Sequence, residues 1–384
     1  MKVFVFLLIS ILSTSILASD TDNNIIIGKK YVIHSKILNE DRTILVSLPQ
    51  SYKQNHKHSR YPVLYFLDGE KFFHSFTGTV QQLSSDATPH IPEMIVVGIK
   101  SQQRVRDSSP THSLLGPSGA KEDVYEVSGG ADKFLSFLKS ELIPHIDKTY
   151  STSDYRVFTG YSFTGLPIIH ALYTMPETFN AYITIDPSWF WDDFVLERNA
   201  KEFIENYKQS NRELFVAVNS LPYPSDLFPV QKNAMSLIDI LDNSGIKGLN
   251  WGHNIYTDET HHSMPLRSLY DGLTYIFRGY RPSLNTLYKT PSKLAFQYDN
   301  LSKRLGTSIA PQEGLMNFFG YQFIETFNDV EKAIIYFELN TKNFPNSANA
   351  WDSLADAYNK SGKKQRAKEY YEKAKQLQIK YPQR

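Results

Sequence analysis

Ser162 stands where a side chain could do covalent chemistry. It lies in Tyr155-Arg156-Val157-Phe158-Thr159-Gly160-Tyr161-Ser162-Phe163-Thr164-Gly165, where strand-forming residues run into a small-residue turn and then into an apolar, helix-forming stretch at 166–173. A serine at the apex of a strand–turn–helix is held in a strained backbone conformation with its hydroxyl presented. The flanking positions must be small so that strand and helix can approach. Gly160 lies two residues before the serine, as G-x-S-x-G requires, but the fifth position is Thr164, with Gly165 one step later. A hydroxyl attacks only if a base takes its proton and a third group orients that base. The downstream histidines are His170, His253, His261 and His262. His170 falls on the helix after the turn and His253 borders the last strand. His261 and His262 lie in the polar loop 257–265 beyond that strand, where such a base belongs. In the chain order serine, acid, histidine, the acid should follow the strand at 214–218, and Asp226 is the carboxylate of the segment 219–226. Asp186, one strand earlier, and Asp258 and Glu259, beside the histidines, are the weaker alternatives. Charge developing on an attacked carbonyl oxygen needs two N–H donors. They are expected from the backbone of Phe163 and of Glu70, the latter just past the strand that ends Leu67-Asp68-Gly69.

The elements that would position these groups alternate strand and helix. Residues 30–37 and 43–48 alternate apolar and polar around Asn39-Glu40-Asp41, a hairpin signal. Residues 61–67 and 94–99 are continuous apolar runs of the buried-strand kind. A helix is expected at 72–83 and a stronger one at 130–150, where Phe134, Leu135, Phe137, Leu138 and Leu142 share a face. After the turn at Ser162, strands at 181–185, 214–218 and 254–256 are separated by helices at 193–209 and 230–243. This order predicts an α/β fold over residues 20–280, mostly parallel, with helices on both faces and ligands at the carboxyl ends of the strands. Residues 281–311 are polar and read as a linker or irregular helix. Within 312–384, Ala333 and Phe337 find counterparts in Ala367 and Tyr371 at the roughly 34-residue spacing of tetratricopeptide repeats, and Trp351, Leu354, Tyr358 and Ala374 also fit that pattern. Two such repeats are too few to stand alone, so this region is expected to pack on the preceding domain or on a protein partner.

The chain has 384 residues, a net charge of +1 and no cysteine. Such a balance, without blocks of one sign, gives no footprint for nucleic acid. Absence of cysteine removes disulfides, thiolate–zinc sites and a cysteine nucleophile. Met1-Lys2, an apolar run at 3–12 and a small-residue end near Ala18-Ser19 read as a cleaved secretory signal over residues 1–19. No later stretch is long and apolar enough to span a bilayer. A periplasmic or secreted mature protein is therefore expected.

With these pieces assembled, the chain resembles the bacterial "putative esterase" family of α/β-hydrolases, which includes siderophore (enterobactin-type) esterases and is related to esterase D. The resemblance runs from about 30 to 280. It is carried by Tyr61-Pro62-Val63-Leu64-Tyr65-Phe66-Leu67-Asp68-Gly69, Arg104-Val105-Arg106-Asp107, Glu141-Leu142-Ile143-Pro144-His145, the Gly160–Gly165 turn, Ser188-Trp189-Phe190-Trp191, and His261-His262-Ser263-Met264-Pro265. The family usually has His-Gly-Ser in that last motif, which maps its histidine onto His261, and G-H-S-x-G-G at the turn, so Tyr161, Thr164 and His262 are departures. By this resemblance Trp189 and Trp191 would wall the acyl or leaving-group pocket, with aromatic core packing as the alternative. Arg104 and Arg106 could attract an anionic substrate or be solvated loop cations. The expectation is an exported serine esterase acting on a small-molecule ester through an acyl-enzyme, with no metal or organic cofactor. An acyltransferase on the same site, or a non-catalytic scaffold working through its repeats, are the alternatives.

Overall fold

The computed structural model describes residues 24–55, 57, 59–85, 88–221 and 234–380. The expected signal segment and Asp226 lie outside the described residues. Eight strands form one sheet in the order β1-β2-β4-β3-β5-β6-β7-β8. They are β1 (Lys29–Ser35), β2 (Glu40–Ser47), β3 (Tyr61–Phe66), β4 (Ile95–Ile99), β5 (Thr152–Tyr161), β6 (Ala181–Ile185), β7 (Arg212–Asn219) and β8 (Leu249–Tyr256). β1 and β2 pair antiparallel, β2 meets β4 antiparallel, and every other neighbour pair is parallel. This is the order of the α/β-hydrolase sheet, and its inner strands β3, β4, β6 and β7 are buried on both faces, which is why they read as nearly unbroken apolar runs. In β3, Leu64 and Phe66 enter the core on one face, and Val63 and Tyr65 that on the other. Among the described residues no helix is long and apolar enough to cross a membrane.

The helix expected at 130–150 is Ala131–Phe137 and Ile143–Thr149 joined through a π-helical turn, Leu138–Leu142. Pro144 has no N–H to return to the preceding turn, and the widened turn accommodates that loss. Glu141 on this turn holds the hairpin in place, accepting from Ser35 Oγ (2.6 Å) and from the N–H groups of Lys36 and Ile37.

Buried Arg42 anchors the next layer, donating to Glu40 and Asp107 at 2.7 Å each, while Arg106 donates to the same two carboxylates. The Arg106 hydrogen bonds, more than those of Arg42, pull the Glu40 carboxyl down to about 2 against its burial. A depressed acid stabilises the fold above its unfolded pKa of about 4.5 and loses that contribution as pH falls through about 2. Glu40 is partly open to solvent, which screens these pairs, so Glu40→Gln is expected to remove only about 1–2 kcal/mol at pH 7. The deficit should shrink between pH 4.5 and 2 in urea melts.

Residues 281–311 carry two helices, Leu284–Tyr288 and Lys293–Leu305, rather than a simple linker. Four more follow as two antiparallel hairpins, Glu313–Glu325 with Val330–Asn343 and Ala348–Lys360 with Lys364–Lys380. Their apolar faces, including Leu294, Tyr298, Leu305, Phe319 and Phe337, continue the same buried cluster as Leu64, Phe66 and Ile183 of the sheet. Each such side chain removed from water contributes about 1.5–3 kcal/mol, so the tail is part of the domain's core. A polar anchor reinforces it. Glu213 at the start of β7 is fully buried and accepts from Arg304 at 2.5 Å and Arg278 at 2.7 Å. Arg304 also donates to the carbonyls of Ile276 and Arg278.

Candidate active site

Ser162 follows β5 directly with φ of 59°, the left-handed region that is costly for a residue with a Cβ. Gly160 makes the turn possible: a Cβ there would lie 2.0 Å from the Thr164 carbonyl oxygen. Gly165 is less tightly placed, a Cβ there lying 3.0 Å from Pro187 and 3.1 Å from Thr184 Oγ1. Thr164, the departure from the small-residue pattern, is fully buried and fits. Its Oγ1 accepts from the Tyr161 N–H at 3.0 Å and lies 3.1 Å from Asp68 Oδ2 and 2.8 Å from the Tyr161 carbonyl.

His261 Nε2 is 2.9 Å from Ser162 Oγ, and His261 Nδ1 is 2.6 Å from Asp186 Oδ2. A carboxylate only accepts, so Nδ1 carries the proton and the Nε2 lone pair faces the serine hydroxyl. Asp186 is buried and also accepts from the side-chain amide and backbone N–H of Asn219. The carboxylate on the imidazole is thus that of Asp186, where the sequence order favoured Asp226. The reason lies in the sheet register. Tyr161 and Ile185 are partners on adjacent strands β5 and β6, so the next residues of the two strands, Ser162 and Asp186, leave the sheet side by side. Asp186 sits at its strand end with φ of 41°, a conformation Asp tolerates better than most, and nothing in the linear order singles it out over Asp226. Asp258 pairs with Arg267 at 2.9 Å, and Glu259 accepts from Ser263 at 2.5 Å and lies 3.5 Å from Arg267.

The other histidines are engaged elsewhere. His262 Nδ1 is 3.3 Å from the Tyr161 hydroxyl, His170 meets Asp132 at 2.6 Å, and His253 stacks on Trp251. The Tyr161 ring lies against the His261 ring at 4.7 Å, with the Lys71 ammonium 5.1 Å from its centroid. Two residues past the end of β3, Asp68 has φ of 55°, and the helix Gly69–Ser84 starts at once. The Glu70 side chain turns away to accept from the Ser101 N–H at 3.1 Å, leaving its backbone at the first turn of the helix.

The expected pocket residues sort differently. Trp189 is 1% and Trp191 0% exposed, too buried to wall an open cleft. Trp189 donates to Glu197 and Ser236, and Trp191 donates to the Thr111 carbonyl and packs edge-on against Phe163 at 5.0 Å. They are core residues supporting the turn from behind. Arg106 is committed to Glu40 and Asp107. Arg104 makes a two-pronged pair with Asp68 (3.0 and 3.1 Å) and reaches the Tyr161 carbonyl at 3.3 Å, with part of its side chain exposed. A separate cleft of about 740 Å³, lined by Tyr61, Glu93, Thr152, Tyr280 and Asn343, lies by the amino ends of β3 and β5, away from Ser162. Among the described residues no group of three His, Cys, Asp or Glu side chains converges as metal ligands.

A hydroxyl on a strained elbow, an imidazole at hydrogen-bonding distance and a buried carboxylate behind it, at the carboxyl end of this sheet, define a serine hydrolase of the α/β-hydrolase fold. Residues 35–220 match the family described as "Putative esterase". A solved IroE-like serine hydrolase from Shewanella oneidensis is 30% identical, with a TM-score of 0.74 over 82% of this chain and 99% of that one. The chain belongs to this esterase family. Ferri-bacillibactin esterase BesA of Bacillus subtilis is 30% identical over 188 residues, 46% of this chain and 64% of that protein. A siderophore triacetylfusarinine C esterase of Aspergillus fumigatus is 28% identical over 155 residues, 39% of this chain and 52% of that one. The matches thus span between half and two-thirds of the length of these two relatives.

Proposed function

We propose that the protein is an exported serine carboxylic-ester hydrolase. The observation that carries this reading is His261, bridging Ser162 Oγ at 2.9 Å and Asp186 Oδ2 at 2.6 Å. Ser162 Oγ attacks the ester carbonyl carbon as its proton passes to His261 Nε2, and Asp186 steadies the resulting imidazolium. The oxyanion is met by the N–H groups of Phe163 and Glu70. The tetrahedral adduct collapses to an acyl-serine as His261 returns the proton to the departing alcohol. Water, activated by the same imidazole, then releases the acid. No step requires a metal or organic cofactor.

The siderophore esterases among its relatives support a siderophore ester as the natural substrate. Exposed Lys71 and the free side of Arg104 would favour an anionic one. The leader at 1–19 supports export, and the alanine and aromatic spacing of the last two helical hairpins supports tetratricopeptide-like repeats with a partner surface. The test pairs hydrolysis of short-chain p-nitrophenyl esters with labelling by a fluorophosphonate probe. Turnover, with the label mapped to the peptide holding Ser162, is expected. Neither turnover nor label would sink the enzyme reading. Product analysis with a ferric triscatecholate lactone then addresses the substrate class.

A further inference from the structure

The carboxylate of Asp68 is not where its position predicts. A residue at the start of a helix normally turns its side-chain oxygen onto the first free N–H groups, yet Asp68 makes no such cap. Its oxygens go to Arg104 Nε and Nη2 and to Thr164 Oγ1, and its own N–H donates to Ser101 Oγ at 3.0 Å. The N–H groups of Lys71 and Phe72 return to the Asp68 carbonyl, so Gly69 and Glu70 precede the first helical hydrogen bond. The diverted carboxylate therefore does not compete for the Glu70 N–H. It also ties this turn to the elbow at two points: Thr164, one residue past Phe163, and through Arg104 the Tyr161 carbonyl, one residue before Ser162.

We propose that Thr164, Asp68 and Arg104 are positioning residues forming a clamp that sets the distance between the two oxyanion donors, Phe163 N–H and Glu70 N–H. This rests on the esterase reading above. None of the three touches the reacting atoms. The donors sit on separate segments, after β3 and after β5, and an oxyanion hole stabilises charge only if both point at one spot. The Thr164 hydroxyl has one proton to share between Asp68 and the Tyr161 carbonyl, but its removal leaves a buried Asp68 oxygen and the Tyr161 N–H each without this partner. A displacement of about 1 Å in such a site costs on the order of 100-fold.

Thr164→Val keeps the shape and deletes the hydroxyl, and Thr164→Ser restores it. Both are compared with wild type for kcat and KM on a p-nitrophenyl ester, for inhibition by a trifluoromethyl ketone that forms the tetrahedral adduct, and for melting temperature. The clamp predicts a kcat about 10- to 100-fold lower in Thr164→Val. KM should stay within about threefold, ketone affinity should fall in parallel with kcat, and Thr164→Ser should recover most of both. Arg104→Gln should lower the same two quantities, and combined with Thr164→Val it should add little, as members of one unit do. A melting temperature that drops while kcat and ketone affinity stay at wild-type values overturns the clamp and leaves a packing role. An active wild type with an indistinguishable Thr164→Val overturns the clamp alone. A wild type that neither hydrolyses esters nor takes up a fluorophosphonate overturns the esterase reading and the clamp with it.

Discussion

Asp186→Asn is expected to lower kcat by about 10⁴, a smaller loss than from Ser162→Ala or His261→Ala, while the fold melts near the wild-type temperature. The size follows from the hydrogen bonds around this carboxylate. Asn219 already donates to it from both its side chain and its backbone N–H. In an amide at 186 the one oxygen would be claimed by those donors, and the NH₂ would face His261 Nδ1. The imidazole would then accept at Nδ1 and carry its proton on Nε2, against the serine hydroxyl, where a lone pair is required. A positioned base would become a second donor. The three single losses should not add, because removing any one member disables the unit. The same assay on Asp226→Asn separates the geometry from the order of residues along the chain. Loss there, with Asp186→Asn within about tenfold of wild type, would return the acid to Asp226.

Arg304→Ala carries the largest expected cost to stability, about 3–5 kcal/mol, because it removes one partner of a buried charge. Glu213 is fully buried, and burial raises its pKa despite two guanidinium groups. Its charged form is therefore held in the fold at a cost that Arg304 and Arg278 offset. Without Arg304 the folded pKa should rise further. An acid with a raised folded pKa loses stability as pH climbs above its unfolded value, so the variant's deficit should widen from about pH 4.5 towards 7. Urea melts at the two pH values read this directly. Adding Glu213→Leu to Arg304→Met should recover most of the loss, since an apolar pair of similar size needs no ion partner. A deficit that stays below about 1 kcal/mol, or that does not vary with pH, would remove Glu213–Arg304 as the anchor between β7 and the helical tail.

The parts legible in the chain were those whose signal is local. The hairpin, the buried strands and the helix after Asp68 are periodic or continuous apolar patterns, and the turn at Ser162 carries its small residues in a row. The π turn at 138–142 was not legible, because the residues there keep helical spacing and only the missing N–H of Pro144 marks the break. For Trp189 and Trp191 the resemblance suggested pocket walls and left core packing open, because aromatic type alone does not distinguish a cleft from the packing behind it.

Sequence by itself determined that Ser162 would be a strained nucleophile candidate and that a loop histidine near 261 would be its base, because both depend on neighbours along the chain. Tertiary structure decided the rest of the site. Asp186 meets His261 because β5 and β6 are adjacent and in register, a relation between strand ends with no trace in linear order. Thr164 fits the elbow because Asp68, 96 residues earlier, takes its hydroxyl. The helical tail belongs to the core because its apolar faces meet one face of the sheet. Contacts between distant segments are selected by burial and geometry in three dimensions, and composition and periodicity record only that such faces exist.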